Sequence, residues 1–278
     1  MILPFQSDDV LLADIRQRSF HANQLSIWWL GQSGFLVQWQ GRQLLMDPYL
    51  SDSLTHKYAA TDKPHVRMTA RAIDPRRLAS VAVTTSSHNH TDHLDAETLL
   101  PLKRVNPELR ILVPSANVDF AATRLGLSTS ELIGIDAGES CELAGFTFHA
   151  LPAAHEDVER DEQGRCKFLG FVVQCGPYTL YHSGDTVLYD QQVELLRNWS
   201  IDVALLPING RAPERRVAGN LWGREAAQLA HDIGARLVIP CHYEMFEFNT
   251  ATTVEFEESC RKLQQPYKVL RCGEGLSW

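Results

Sequence analysis

The segment Ser86-Ser87-His88-Asn89-His90-Thr91-Asp92-His93-Leu94-Asp95 limits what this chain can be more sharply than any other stretch. Three imidazoles and a carboxylate crowd together directly after the apolar run Val81-Ala82-Val83. Neutral imidazole and carboxylate are the donors that suit zinc, manganese or iron, and such an ion needs several of them converging. His88 and His90 are two apart, so an extended strand end is expected to turn both rings to one side. Asp92 and His93 then fall at the turn into a following helix, where they can face the same hollow. The segment reads as a metal cradle, and the rest of the fold must bring further donors to it.

Composition excludes several other classes. The 278 residues are 44% hydrophobic and 22% charged, as in an ordinary soluble globular protein, and can bury a sizeable core. A formal charge of −8 argues against a nucleic-acid backbone as main partner, because such binders carry a basic face. Cys141, Cys166, Cys175, Cys241, Cys260 and Cys272 are scattered with no C-x-x-C spacing. That pattern suits reduced thiols in a cytoplasmic protein better than a disulfide framework or a zinc ribbon. Cys241 stands beside His242 and reads as a buried strand-end thiol. Residues 1–20 lack the basic and apolar regions of a signal peptide, and no apolar stretch approaches the ~20 residues that span a bilayer. A homo-oligomer remains open.

Along the chain, residues 8–18 suggest a weakly amphipathic helix within an N-terminal extension, 1–24, that packs on a domain of residues 25–278. Strands are expected at 25–30, 35–39 and 43–46, with turns at Gly31, Ser33, Gly34 and Gly41. The aromatics Trp28, Trp29, Phe35 and Trp39 read as core or sheet-face packing. Residues 51–77 are polar, interrupted by Pro64 and Pro75, and read as a long functional loop; His56 and His65 lie within reach of a substrate there, but solvated side chains are the default expectation for both. Helices are expected at 96–103 behind an Asp95 cap, 115–125 closed by Gly126, 187–199, 223–233 and 253–263. Further strands are expected at 110–113, 141–143, 147–151, 168–175, 178–182, 203–206 and 236–239. Strands come in a run and then alternate with helices, twice over, which suggests two sheets face to face with helices outside.

Three more expected strand ends deliver metal-binding groups: Leu151-Pro152-Ala153-Ala154-His155-Glu156, Tyr181-His182-Ser183-Gly184-Asp185-Thr186 and Ile239-Pro240-Cys241-His242-Tyr243. With these in place the sequence resembles the metallo-β-lactamase superfamily, whose H-x-H-x-D-H hallmark stands unbroken at 88–93. Asp47 fits the first motif, His155 the third, Asp185 the fourth and His242 the fifth. Trp29-Leu30-Gly31-Gln32-Ser33-Gly34-Phe35, Asp47-Pro48-Tyr49-Leu50-Ser51-Asp52 and Leu206-Pro207-Ile208-Asn209-Gly210-Arg211 are similar to the branch that includes L-ascorbate-6-phosphate lactonase. Likeness to that branch also runs through Tyr181 to Thr186 and Ile239 to Phe246. The resemblance covers about residues 25–272 and implies a four-layer αββα sandwich, an α/β single domain, with two divalent metal ions, Zn or Mn, at one edge. It implies His88, His90 and His155 on one ion, Asp92, His93 and His242 on the other, Asp185 bridging, and Asp47 holding the cluster by hydrogen bonds. His149 and His182, inside strands, are expected to be structural.

The expected chemistry is attack by an ion-bridging hydroxide on an ester-like bond. Asp185 would orient the nucleophile, and Asp92 would pass a proton to the leaving group. The branch resemblance points to a lactone of a sugar acid, phosphorylated or not. Asn209 and Arg211 are candidate substrate contacts, because a guanidinium fork matches phosphate or carboxylate; Arg215, Arg216 and Asn220 share their loop. Two alternatives stand: phosphodiester cleavage on the same site, and sulfur oxidation by a single iron. Di-iron flavoprotein relatives carry a glutamate where His90 stands, and no room for a flavin domain is expected here.

Overall fold

The computed structural model describes residues 1–21 and 23–278; Ala22, in the 1–24 extension, lies outside the described residues. Helix α1 (Asp8–Arg18) buries Leu11 and Ile15 in the main core, so the extension is stitched to the domain by its apolar face. Strands β1 (Ser26–Gly31), β2 (Gly34–Trp39) and β3 (Arg42–Met46) form the expected antiparallel meander. The aromatics Trp28, Trp29, Phe35 and Trp39 are buried as anticipated. After β3 the sheet changes sense: β4 (Val81–Thr85), β5 (Arg110–Pro114) and β6 (Leu132–Ile135) follow in parallel. Helix α3 (Ala96–Val105) connects β4 to β5, and α4 (Val118–Leu125) connects β5 to β6.

The second sheet repeats this plan. Strands β7 (Ser140–Leu143), β8 (Phe146–Pro152), β9 (Leu169–Cys175) and β10 (Tyr178–His182) are antiparallel neighbours. Strands β11 (Val203–Pro207) and β12 (Leu237–Cys241) then join in parallel, linked by α6 (Gly223–Asp232), which packs back on both. Helix α7 (Val254–Leu263) lies against α6, and β13 (Gly275–Ser277) closes the first sheet by pairing with β1. The sheets run β13-β1-β2-β3-β4-β5-β6 and β12-β11-β10-β9-β8-β7. Two sheets with helices over them make the single-domain αββα sandwich that the pattern implied. No helix among the described residues is long and apolar enough to cross a membrane.

Several local expectations need correction. The 187–199 helix shrinks to α5 (Gln192–Leu196), because Gln191 takes a left-handed backbone, φ 68°, and 186–189 run irregularly. The stretch before it is held by other segments: Leu221 N–H donates to the Thr186 carbonyl, and Val187 N–H to Ala154. Asp185 therefore caps no helix. The long loop 51–77 includes α2 (Ser53–Tyr58) and a short turn at Pro75–Arg77. The 115–125 helix opens as a tight 3-10 turn at Ser115–Asn117 before α4. Strands β6 and β13 were not anticipated. All six cysteines are free thiols, five of them buried.

Candidate metal centre

Parallel strands end together, so a sheet of this kind gathers the loops after its strand C-termini at one edge, where ligands in open α/β sheets bind. Here Asp47 follows β3, the 86–95 segment follows β4, His155 follows β8, Asp185 follows β10 and His242 follows β12. The structure brings all of them together. The donor atoms of His88, His90 and His155 lie within 4.8 Å of one another. So do those of Asp92, His93 and His242, and those of His88, His93 and Asp185. Asp185 stands between the groups: its carboxylate is 3.3 Å from His93 Nε2, 3.3 Å from His242 Nε2 and 3.6 Å from His155 Nε2.

His88 and His90 meet differently from the expectation. Strand β4 stops at Thr85, and residues 88–90 form bends, with the two rings 4.6 Å apart edge to face. A tight fold does the work assigned to an extended strand end. His93 N–H and Leu94 N–H both return to the His90 carbonyl, and Asp95 caps α3 by accepting from Glu97 N–H and Thr98 Oγ1.

Hydrogen bonds set which ring nitrogen of His93 and of His155 faces the centre. His93 Nδ1 lies 2.7 Å from Asp47 Oδ2, an acceptor only, so Nδ1 carries a proton and Nε2 is the nitrogen that faces the centre. Asp47 is wholly buried and also accepts from Ser87 N–H and Thr85 Oγ1. His155 Nδ1 donates to the Gly219 carbonyl at 2.8 Å, which frees its Nε2 in the same way. His88 Nε2 and His93 Nε2 are buried without any hydrogen-bond partner. Orphaned buried nitrogens are costly, and converging lone pairs beside two carboxylates fit a divalent cation. His149 instead bonds Gln174, and His182 donates to the Ser33 carbonyl; neither joins the cluster. Cys241 is buried in β12 and lies outside the three donor groups.

Electrostatics divide the centre into two halves. Burial, with neighbouring imidazoles, pushes His88 well below its ordinary value, and His90 down to about 4. His93 is raised well above its ordinary value, because Asp185 and Asp92 overcome the penalty of burial. Burial opposes ionisation of Asp185 too, yet His242 and His93 hold it well below the usual carboxylate range. One half thus presents neutral imidazoles, and the other a pair of carboxylates that demand positive charge.

Three of these positions adopt left-handed backbones, Gln32 (φ 51°), Asp47 (φ 41°) and His242 (φ 61°). Such conformations are unfavourable for side chains with a Cβ and gather at functional sites. Two of them are tied together: His242 N–H donates to the Gln32 carbonyl, as does Trp29 Nε1. In the sequence Gln32 stood out only as part of the Trp29–Phe35 stretch that carries the resemblance. Its amide nitrogen donates to Asp92 Oδ2 at 2.7 Å and lies 3.0 Å from His242 Nε2, while its Oε1 is buried without a partner. Gly184 (φ 60°) is equally constrained: a Cβ there would meet Ser87 Cβ at 2.6 Å and the Leu169 carbonyl at 2.8 Å.

A cavity of about 360 Å³ opens above the centre, with His90, Asp92, His155, Asp185 and His242 on its floor. The 51–77 segment supplies one wall through Leu54, Lys57, Tyr58 and His65. His65 stacks on Tyr58 at 4.2 Å and meets Phe248 and Phe246 edge-on at 4.5 and 5.1 Å. His56 takes no part in the lining. Arg211 does not line the cavity either: its fork grips Glu225 at 2.6 and 2.7 Å. Asn209 is fully buried and reaches the cavity only through Asn249, a lining residue to which its amide donates. The cations that do line this space are Lys57 of α2 and Arg124 of α4, neither of which stands out in the sequence.

Comparison with known proteins agrees with this geometry. Residues 42–243 match the model of the beta-lactamase superfamily domain. A UPF0173 metal-dependent hydrolase of Alkaliphilus metalliredigens is 30% identical over 250 residues, covering 86% of this chain and 95% of that protein. A possible metal-dependent hydrolase of Veillonella parvula superposes with a TM-score of 0.71 at 15% identity, over 91% of this chain and 98% of its own. Igni18, a metallo hydrolase of Ignicoccus hospitalis, superposes at 0.66 with 21% identity, over 92% and 98%. With fold, motif order and relatives in agreement, the chain belongs to the metallo-β-lactamase superfamily, within its UPF0173 metal-dependent hydrolase family.

Proposed function

We propose that this protein hydrolyses an ester-like bond with two divalent ions, zinc or manganese. His88, His90 and His155 would hold one, Asp92, His93 and His242 the other, and Asp185 would touch both. The observation that carries this reading is the position of Asp185 between imidazole nitrogens of both halves, at 3.3 to 3.6 Å. Bound ions would bring the pKa of water toward neutrality and polarise the carbonyl under attack.

The chain's own groups do the rest. Asp185 accepts a hydrogen bond from the attacking water and aims its oxygen at the acyl carbon. That oxygen forms the new bond, the acyl–oxygen bond breaks, and the proton lost by the water passes through the Asp92 carboxylate to the departing alkoxide. Gln32 steadies Asp92, and Asp47 keeps His93 in the tautomer that leaves Nε2 free. The motif texture of the chain favours a lactone of a sugar acid, phosphorylated or not, as substrate. Sulfur oxidation at one iron has no use for the second convergent group, which favours hydrolysis. Six free thiols suit a reducing cytoplasm.

Metal analysis of the purified protein, followed by a hydrolysis screen of lactones, sugar phosphates and phosphodiesters with zinc- and manganese-loaded protein, tests the reading. Two ions per chain and turnover of one ester class are expected. Asp185→Asn is expected to lower kcat by about 100-fold or more with the fold intact. One iron per chain, or an Asp185→Asn variant with wild-type turnover, refutes it.

A further inference from the structure

The cavity above the centre has a charge pattern that the hydrolytic chemistry does not require. Arg124 and Lys57 line it, and its acidic members, Asp92 and Asp185, belong to the candidate metal centre. Arg124 keeps a terminal nitrogen free and has no carboxylate partner; Arg215 also lacks a carboxylate partner among the described residues, but both its terminal nitrogens are taken by Asn209, Asn249 and Thr250. Arg211 is neutralised by Glu225, Arg67 by Asp52 and Arg216 by Asp62. Arg124 makes no carboxylate pair among the described residues. One of its terminal nitrogens donates to the Asn89 and Leu94 carbonyls, and its Nε and other terminal nitrogen have no protein partner among the described residues. Its guanidinium lies over Phe120, 4.5 Å from the ring centroid. A half-buried guanidinium with donors left over is poised for an anion, since its planar fork matches carboxylate and phosphate oxygens. Burial already depresses its pKa, as expected of a cation set in place without its counter-ion.

The other wall is aromatic. Tyr58, His65, Phe246 and Phe248 form a contiguous ring cluster. Burial holds His65 below its ordinary value, and the cation on this side is Lys57, whose Nζ lies 5.1 Å from the Tyr58 ring centroid. At about 360 Å³ the cavity is near the lower end of the ~300–1,000 Å³ usual for ligand pockets.

We infer that the substrate is a small molecule with one anionic group, carboxylate or phosphoryl, seated on Arg124, and an apolar ring face against the aromatic Tyr58–Phe248 wall. This inference rests on the hydrolase reading only in placing the scissile group at the floor of the cavity. It moves the anion anchor from Arg211 to Arg124.

Equilibrium binding tests it without turnover. Phenylacetate, benzylphosphonate and neutral phenylacetamide are titrated calorimetrically into metal-loaded wild-type protein and Arg124→Gln. At least one of the two anions is expected to bind the wild type more tightly than the amide, and which one does so identifies the anion. Arg124→Gln is expected to weaken that anion by about 10- to 100-fold and leave the amide unchanged. Arg124→Lys, which keeps the charge and loses the fork, is expected to fall between. Because Arg124 also straps the 89–94 loop, metal content is measured for every variant. If Arg124→Gln loses metal, the decision passes to Arg124→Lys with its full metal content. Anion binding that is unaltered in a metal-replete variant overturns the inference, as does a wild type that binds the amide as tightly as both anions. Hydrolysis of neutral esters alongside such a result would leave the hydrolase reading standing; anion binding without hydrolysis of any ester would do the reverse.

Discussion

Asp47 touches none of the donor groups' open faces, yet its removal should empty half of the centre. Its carboxylate accepts from His93 Nδ1 at 2.7 Å, from Thr85 Oγ1 at 2.8 Å and from Ser87 N–H at 3.1 Å. In Asp47→Asn the remaining carbonyl oxygen can keep Ser87 and Thr85. The new amide nitrogen is a donor, and it faces a ring nitrogen that also carries a proton. The least costly escape is for His93 to move that proton to Nε2, where it blocks the lone pair shared with Asp92 and His242. Partners of this kind are worth about 10- to 100-fold in metal affinity, or about 1.4–2.7 kcal/mol. The loss should fall on the Asp92, His93 and His242 group and spare His88, His90 and His155. Competitive chelator titration with zinc should then show one tight ion retained and one weakened by that factor, with circular dichroism unchanged. Two ions held at wild-type affinity, or both lost together, would refute the tautomer argument.

Other predictions follow from the same contacts. Gln32→Leu removes the amide that donates to Asp92 Oδ2 at 2.7 Å, and the same titration should show that half of the centre weakened by about tenfold. Gly184→Ala forces a Cβ within 2.8 Å of Ser87 and the Leu169 carbonyl at a left-handed φ; urea denaturation should register a loss of about 2–4 kcal/mol. Asp14 accepts from Gln6, Trp28 and Arg18, each at 2.8 Å, and thereby ties α1 to β1. Burial pushes the Asp14 carboxyl up, but these bonds outweigh it and hold its pKa below the ordinary value. Asp14→Asn should therefore cost about 1–2 kcal/mol at neutral pH. Because the folded pKa is the lower one, that stabilisation is complete above the unfolded value, about 3.9, and is lost as pH falls through the folded one. Thermal unfolding of the pair across pH 2–7 should show the gap closing below about pH 4.

What was legible in the sequence, and what was not, divides along a physical line. The candidate donors could be read because their chemistry is local: an imidazole or carboxylate at the end of an apolar strand announces itself by residue type and position. The sandwich could be read for a similar reason, since the run of strands followed by strand–helix alternation occurs twice. Strand β6 escaped because Leu132-Ile133-Gly134-Ile135 is short and broken by a glycine. That glycine is there for packing: a Cβ on Gly134 would meet Ser115 Oγ and Val118 Cγ2 at 3.0 Å. The 187–199 helix was over-read because propensity says nothing of Thr186 and Val187 being held by Leu221 and Ala154. For the candidate contact Arg211 the limit was different. Arg211 sits in an Asn-Gly-Arg turn beside a predicted strand end and looks like a ligand contact, whereas Arg124 looks like a helix-end charge in water. Which guanidinium is free depends on where the carboxylates fall in space: Glu225, fourteen residues beyond Arg211, occupies that fork, and no carboxylate among the described residues pairs with Arg124. A residue's type announces what it can bind, but only the folded charge pairing decides whether it is still available to bind it.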